Sequence, residues 1–218
     1  MKTDTNLALS YLTIRRALGV LGILLPLLVF LCSQMAGPQA LRVSISSYYF
    51  TNVRDMLVGI LCALSMCLIA YKGYDRLDNA VSSVAGVFAL GIAWFPACGE
   101  SHQGADYLFR FLDSDVVTAI HFISAGCFFG LLAFMSFFLF TKTGGKKKGN
   151  NKNLRNVIYR VCGAVMMAAL LGMLVVYLLP ADLPLRAYNP VFWLETLALL
   201  AFGISWLIKG ETLFQDKR

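Results

Sequence analysis

The chain has 218 residues, of which 58% are hydrophobic and only 14% charged, with a mean hydropathy of +0.69. Soluble domains carry about 25% charged residues, so the composition excludes an ordinary soluble domain and describes a membrane protein. Alternating ten-residue patterns are absent, which argues against a β-barrel and leaves helices as the way to satisfy every backbone group in lipid. The net charge of +7 would suit nucleic acid only if it were clustered on a polar domain, and it is not.

Apolar runs predict six spans, over residues 17–35, 56–71, 80–97, 116–140, 157–179 and 191–208, the fold being an all-α polytopic bundle. The second run is short and reaches the roughly 20 residues a span needs only if 52–55 are already helical. With the amino terminus inside, the inner segments hold fifteen of the nineteen Lys and Arg residues, and the outer ones only Arg42, Arg54, Arg110 and Arg186. This positive-inside asymmetry places both termini in the cytoplasm, and the localisation expected is the bacterial cytoplasmic membrane.

Residues 1–16 read as a short cytoplasmic lead, with Arg15-Arg16 ahead of an uncleaved first span that contains Pro26. Residues 34–55 form the first outer loop. Its core is Ser44-Ile45-Ser46-Ser47-Tyr48-Tyr49-Phe50-Thr51-Asn52-Val53-Arg54-Asp55, a polar and aromatic run ending in two opposite charges at the mouth of the second span. The turn 72–78 makes the second and third spans an antiparallel hairpin. Ser82, Ser83, Gly86 and Ala89 share a face of the third span and suit close helix packing.

The second outer loop, 98–115, carries Glu100, His102, Asp106, Arg110, Asp113 and Asp115. Its Tyr107, Phe109 and Phe111 fit a short amphipathic segment on the membrane surface. In the fourth span Ser114, Thr118, His121 and Ala125 fall on one helical face, with Ser124 one turn from His121. Residues 141–156 form a basic linker with Lys146-Lys147-Lys148, a topology determinant that anionic lipid can also attract. It divides the single membrane domain into a four-helix unit, 1–140, and a two-helix unit, 157–218. Ala164, Ala168 and Gly172 give the fifth span a small-residue face for a helix contact within the protomer or in a homo-oligomer. Trp193 and Trp206 of the sixth span suit the interfacial aromatic belts. Cys32 and Cys98 both lie toward the outer face, where a disulfide can form.

The candidate site follows from depth. At 1.5 Å per residue, Glu195 sits about 6–8 Å into the sixth span, His121 about 9 Å into the fourth, and Asp55 at the mouth of the second. Ionisable groups in spans are costly and face polar interiors, so Asp55, His121 and Glu195 are expected to converge, with Tyr48, Tyr49, Arg54 and Thr118 as ligand-binding neighbours. Each also has a purely structural reading: Asp55 as a helix-start carboxylate, His121 as a core histidine, Glu195 as a partner of Arg54. One histidine with two carboxylates is a conceivable divalent-ion set, but the paired-histidine motifs are missing, so no metal ligand and no cofactor is assigned. Ser46 or Ser47 with His121 would make a nucleophile and base, without a GxSxG elbow.

Residues 44–57, with the Tyr71-Lys72-Gly73-Tyr74-Asp75-Arg76 turn, resemble a group of bacterial multi-pass membrane proteins of no assigned activity, over mainly 44–140. More remotely the layout is similar to the alkaline ceramidase and adiponectin-receptor superfamily of membrane hydrolases. Ser46 stands at the position of that superfamily's serine, but Phe50 replaces its histidine and the late histidine pair is missing. The resemblance implies a lipid amide or ester hydrolase as the alternative to an outward-facing cavity that binds or transports a lipid or small polar ligand. A structural membrane partner without a ligand is a third reading.

Overall fold

The computed structural model describes residues 2–35, 37, 40–98, 106–142, 151–180 and 182–212, with side chains of the first helix described from Tyr11 onward. Glu100, His102 and the Lys146-Lys147-Lys148 run lie outside the described residues. Six α-helices follow in chain order: α1 Lys2–Gln34, α2 Arg54–Ala70, α3 Arg76–Trp94, α4 Ser114–Phe134, α5 Lys152–Leu178 and α6 Pro190–Lys209. No strand occurs among the described residues. Five of the helices, α2 excepted, are long and apolar enough to cross a membrane, which is the signature of a multi-pass membrane protein. The 17 residues of α2 are as apolar in character but make the shortest of the six helices.

Several boundaries differ from the sequence expectation. The segment before residue 17 is not a separate lead, because α1 is helical from Lys2. Likewise α5 begins at Lys152, inside the stretch read as linker. The third helix stops at Trp94, two residues before Pro96, whose ring disfavours helix at the residue before it. The segment with Tyr107, Phe109 and Phe111 is a run of turns rather than an amphipathic helix. Phe109 instead stacks on Phe95, with ring centroids 4.4 Å apart, while Phe111 stays exposed.

The helices pack in a closed ring, each against its neighbour in sequence, with α6 returning to α1. Small residues set the close approaches. A Cβ on Gly203 of α6 would stand 2.7 Å from the Gly19 carbonyl oxygen of α1, and one on Gly22 would stand 2.4 Å from Phe202. Between α2 and α3, Ser82 donates its hydroxyl to the Leu68 carbonyl (2.6 Å) and Ser65 to that of Gly86 (2.7 Å). Gly163 brings α5 onto the Ala133 carbonyl of α4. Past Phe134 the helix widens into a π turn over Met135–Leu139, and Ser136 there donates to the Tyr159 carbonyl of α5.

Within the single chain the small-residue face of α5 is only partly packed. Ala164 and Ala168 are exposed, and Gly172 alone touches a neighbour, Leu194 of α6. The helix turns Gly163, Met166 and Ala169 inward instead. All six cysteines are free, so Cys32 and Cys98 are not joined.

One end of the bundle gathers Lys142 and Lys209. Lys142 bridges Asp75 (2.8 Å) and the buried Asp78 (2.7 Å). These bonds hold the Asp75 carboxyl below, and the Lys142 ammonium above, their ordinary values. Beside them the buried Lys209 lies over the rings of Tyr74 (4.6 Å), Phe140 (5.1 Å) and Tyr159 (5.9 Å). Trp206 is fully buried against Tyr71 and Phe140, which corrects its assignment to an interfacial belt. Trp193 is exposed.

Candidate functional site

The site lies at the opposite end, where the 41–53 segment dips between α4 and α6. That segment is built by short-range bonds. Ser44 and Ser47 bind each other reciprocally: the Ser47 N–H donates to Ser44 Oγ (3.0 Å) and the Ser47 hydroxyl to the Ser44 carbonyl (2.6 Å), while the Ser44 N–H donates to Ser47 Oγ (3.3 Å). A 3₁₀ helix, Ser46–Phe50, follows, and the Thr51 hydroxyl closes it on the Tyr48 carbonyl. Two bonds tie the segment to the start of α6: Phe192 N–H to the Val43 carbonyl (3.1 Å), and Asn189 Nδ2 to that of Leu41 (3.0 Å).

This arrangement delivers Ser46 between His121 and Glu195. The Ser46 oxygen stands 3.1 Å from His121 Nε2 and 3.4 Å from Glu195 Oε1. Glu195 Oε2 accepts the Ile45 N–H (2.5 Å). His121 Nδ1 faces the Phe95 carbonyl at 2.7 Å. A carbonyl only accepts, so Nδ1 carries a hydrogen and Nε2 is the nitrogen turned to Ser46. The Phe95 carbonyl is available because α3 ends there and its last carbonyls have no helical partner. Thr118 holds that turn over α4, donating to the Cys98 carbonyl (2.9 Å) and accepting its N–H (3.1 Å).

A cavity of about 40 Å³ opens beside this chain, space for a few waters. Its polar wall is Ser46, His121 and Glu195. Its floor and sides are apolar, including Leu25, Leu61, Phe128, Phe129 and Leu199. Ser65 and Ser82 do not line this cavity; their hydroxyls donate to backbone carbonyls between α2 and α3.

Of the residues singled out from sequence, the structure brings together His121, Glu195 and Ser46, with Tyr49 on the cavity wall. Asp55 is corrected: it is exposed in the first turn of α2, where its carboxylate complements the helix dipole. Arg54 does not pair with Glu195. Its guanidinium donates to the Tyr49 hydroxyl (2.9 Å) and the Asp106 carbonyl (2.8 Å), clasping the first connecting segment to the turns before α4. Tyr48 is buried 6.3 Å from the Phe192 ring, and its hydroxyl meets no partner among the described residues. Thr118 acts on Cys98 rather than on the cavity. The Phe95 carbonyl was not foreseen, since a backbone acceptor leaves no mark in side-chain patterning. Pro96 was the available signal.

No family model, curated protein or solved structure matches the chain.

Proposed function

We propose that the protein is a six-span membrane protein, both termini cytoplasmic, whose outward-facing cavity binds an amphipathic ligand, a membrane lipid above all. The observation that carries this is the pairing of surfaces in one cavity: a three-residue polar chain from three separate elements on one wall, and leucine and phenylalanine side chains on the rest. A polar head has Ser46 and His121 to bond with, and hydrocarbon has the apolar floor. At about 40 Å³ the cavity admits no acyl chain without movement of the helices, so ligand entry is coupled to their parting. Carriage across the membrane would need the same parting to extend to the basic end. The exposed face of α5 with Ala164 and Ala168 is left to lipid or to a second copy of the chain.

The test is native mass spectrometry of the purified protein with its co-purified lipids. Wild type should retain a lipid that Ser46→Ala and a cavity-filling Leu61→Trp release, with folding intact. Identical lipid retention in all three proteins overturns the reading.

A second reading has its own observation. Ser46 within hydrogen-bond distance of His121 Nε2, with His121 oriented by a carbonyl, is a nucleophile and base in the relation that acyl transfer requires. It supports an intramembrane ester or amide hydrolase that uses serine. Labelling of Ser46 by a fluorophosphonate probe, lost in His121→Ala, would favour it over simple binding.

A further inference from the structure

Counting hydrogens along the chain from Glu195 to Phe95 leads further. The Phe95 carbonyl requires a hydrogen on His121 Nδ1. Ser46 has one hydroxyl hydrogen and two acceptor-capable neighbours, His121 Nε2 and Glu195 Oε1. If it donates to His121, the Glu195 side of the chain is complete only when the carboxyl carries a hydrogen that it donates to Ser46 Oγ. If it donates to Glu195, the His121 side is complete only when Nε2 carries a hydrogen that it donates to Ser46 Oγ. The two arrangements contain the same number of hydrogens. They interconvert when the Glu195 proton passes to Ser46 Oγ as the Ser46 proton passes to His121 Nε2, leaving carboxylate and imidazolium. With one hydrogen fewer, two buried acceptors face each other across one of the two gaps, at a cost typical of an unsatisfied buried group.

We propose that Glu195, Ser46 and His121 form a proton-exchange site that holds one transferable proton for the pair, passed between Glu195 and His121 through the Ser46 hydroxyl. A ligand that takes the Ser46 hydroxyl breaks this chain, so ligand occupancy and proton occupancy are linked, and reciprocally. The linkage rests on the ligand-binding reading above. The shared proton does not.

Among the described residues the surroundings leave the pair isolated. The 3₁₀ helix contributes Tyr48 and Tyr49, and the Tyr49 hydroxyl is engaged by Arg54. From α2 come Arg54, turned to Tyr49 and Asp106, and the exposed Asp55. Beyond α3 lie Cys98 and Tyr107, whose titrations burial pushes upward. The parts of α1 and α2 that line the cavity are Leu25, Leu57 and Leu61.

The chain has two histidines, so His102→Gln leaves His121 as a lone reporter. Two signals are followed against pH, without ligand, in the full-length protein in detergent. They are the ¹⁵N shift of His121 Nε2 and the infrared stretch of the protonated Glu195 carboxyl, identified by its absence in Glu195→Gln. Because a shared proton belongs to the pair, both signals should change along one curve with one midpoint. Ser46→Ala should split that curve into two midpoints, and Ser46→Thr, which restores a hydroxyl, should rejoin them. Separate midpoints in the protein with Ser46 intact, or an unsplit curve in Ser46→Ala, overturn the proposal. So does a His121 signal that stays constant over the whole range in which the protein is folded. Retention of lipid with no shared titration would refute the relay alone and leave the binding site standing. A shared titration with no retained lipid would do the reverse.

Discussion

Glu195 anchors the 41–53 segment through an acceptor oxygen, and the geometry separates that role from its charge. In Glu195→Ala the Ile45 N–H, buried at 4% exposure, loses its acceptor. A buried donor without a partner costs about 1–3 kcal/mol, and the lost methylene adds roughly 0.8 kcal/mol, so the expected destabilisation is about 2–4 kcal/mol. For a chain of this size each kcal/mol moves the melting temperature by about 2–4 °C, giving a fall of roughly 4–16 °C. Glu195→Gln behaves differently. Its amide oxygen accepts from Ile45, its NH₂ donates to Ser46 Oγ, and Ser46 remains free to donate to His121. Every bond in the chain survives, so the loss should stay below about 1 kcal/mol. Thermal unfolding of the detergent-solubilised variants, followed by tryptophan emission, measures both. Equal losses in the two variants would refute the reasoning, because the charge rather than the acceptor would then hold the segment. No loss in Glu195→Ala would show that the segment is held elsewhere.

Other consequences are as direct. Gly203→Val should destabilise by at least 1–3 kcal/mol, the order of overpacking costs, because its Cβ would press on the Gly19 carbonyl. Gly126→Ala in the interior of α4, with nothing within 4 Å, is the control expected to lose no stability and to gain up to about 1 kcal/mol from helix propensity. Lys142→Met removes a donor from the buried Asp78 carboxylate and should cost about 1–3 kcal/mol. The lowered Asp75 titration contributes stability that is present above its ordinary value of 3.8 and lost as pH falls through its lower folded value. The raised Lys142 titration contributes stability present below 10.5 and lost as pH rises through its higher folded value. The contribution of this ion pair to the melting temperature should therefore be flat between these limits and fall outside them, by small amounts because both groups are partly solvated. Finally, a single cysteine at position 147 in a cysteine-free background should resist an impermeant thiol reagent in intact cells, while one at Arg186 reacts. The opposite pattern inverts the orientation.

The parts of the site that the sequence disclosed were those with a helical address. His121 and Glu195 were legible because a polar side chain at a fixed depth in an apolar helix has few affordable surroundings, and that depth follows from 1.5 Å per residue. Asp55 shared the address but not the constraint. At a helix's first turn a carboxylate is stabilised by the dipole while facing water, so depth alone over-read it. Arg54, at the start of α2, went to Tyr49 of the 3₁₀ helix just before it, a contact made by the turn between them that helix periodicity does not encode. Lys209 was legible only as one more basic residue. Its cage is assembled from Tyr74, Phe140 and Tyr159, residues of three separate segments that nothing in their own neighbourhoods marks as cation partners. Ala164 and Ala168 keep their small-residue spacing on an exposed face of α5, while the inward face carries Gly163, one residue and about 100° of rotation away.

The closure of α6 on α1 fixes the order in which this molecule can be completed during synthesis. The neighbours α2 and α3 can pair as soon as both have left the ribosome. The glycine face of α1 waits for α6, and until α6 arrives Gly19 and Gly22 lack the partner their close packing serves. Glu195 travels on that same late helix, so the polar chain and the ring close in a single final event. A chain that stopped after α5 would lack both the α1 seam and the Glu195 end of the polar chain.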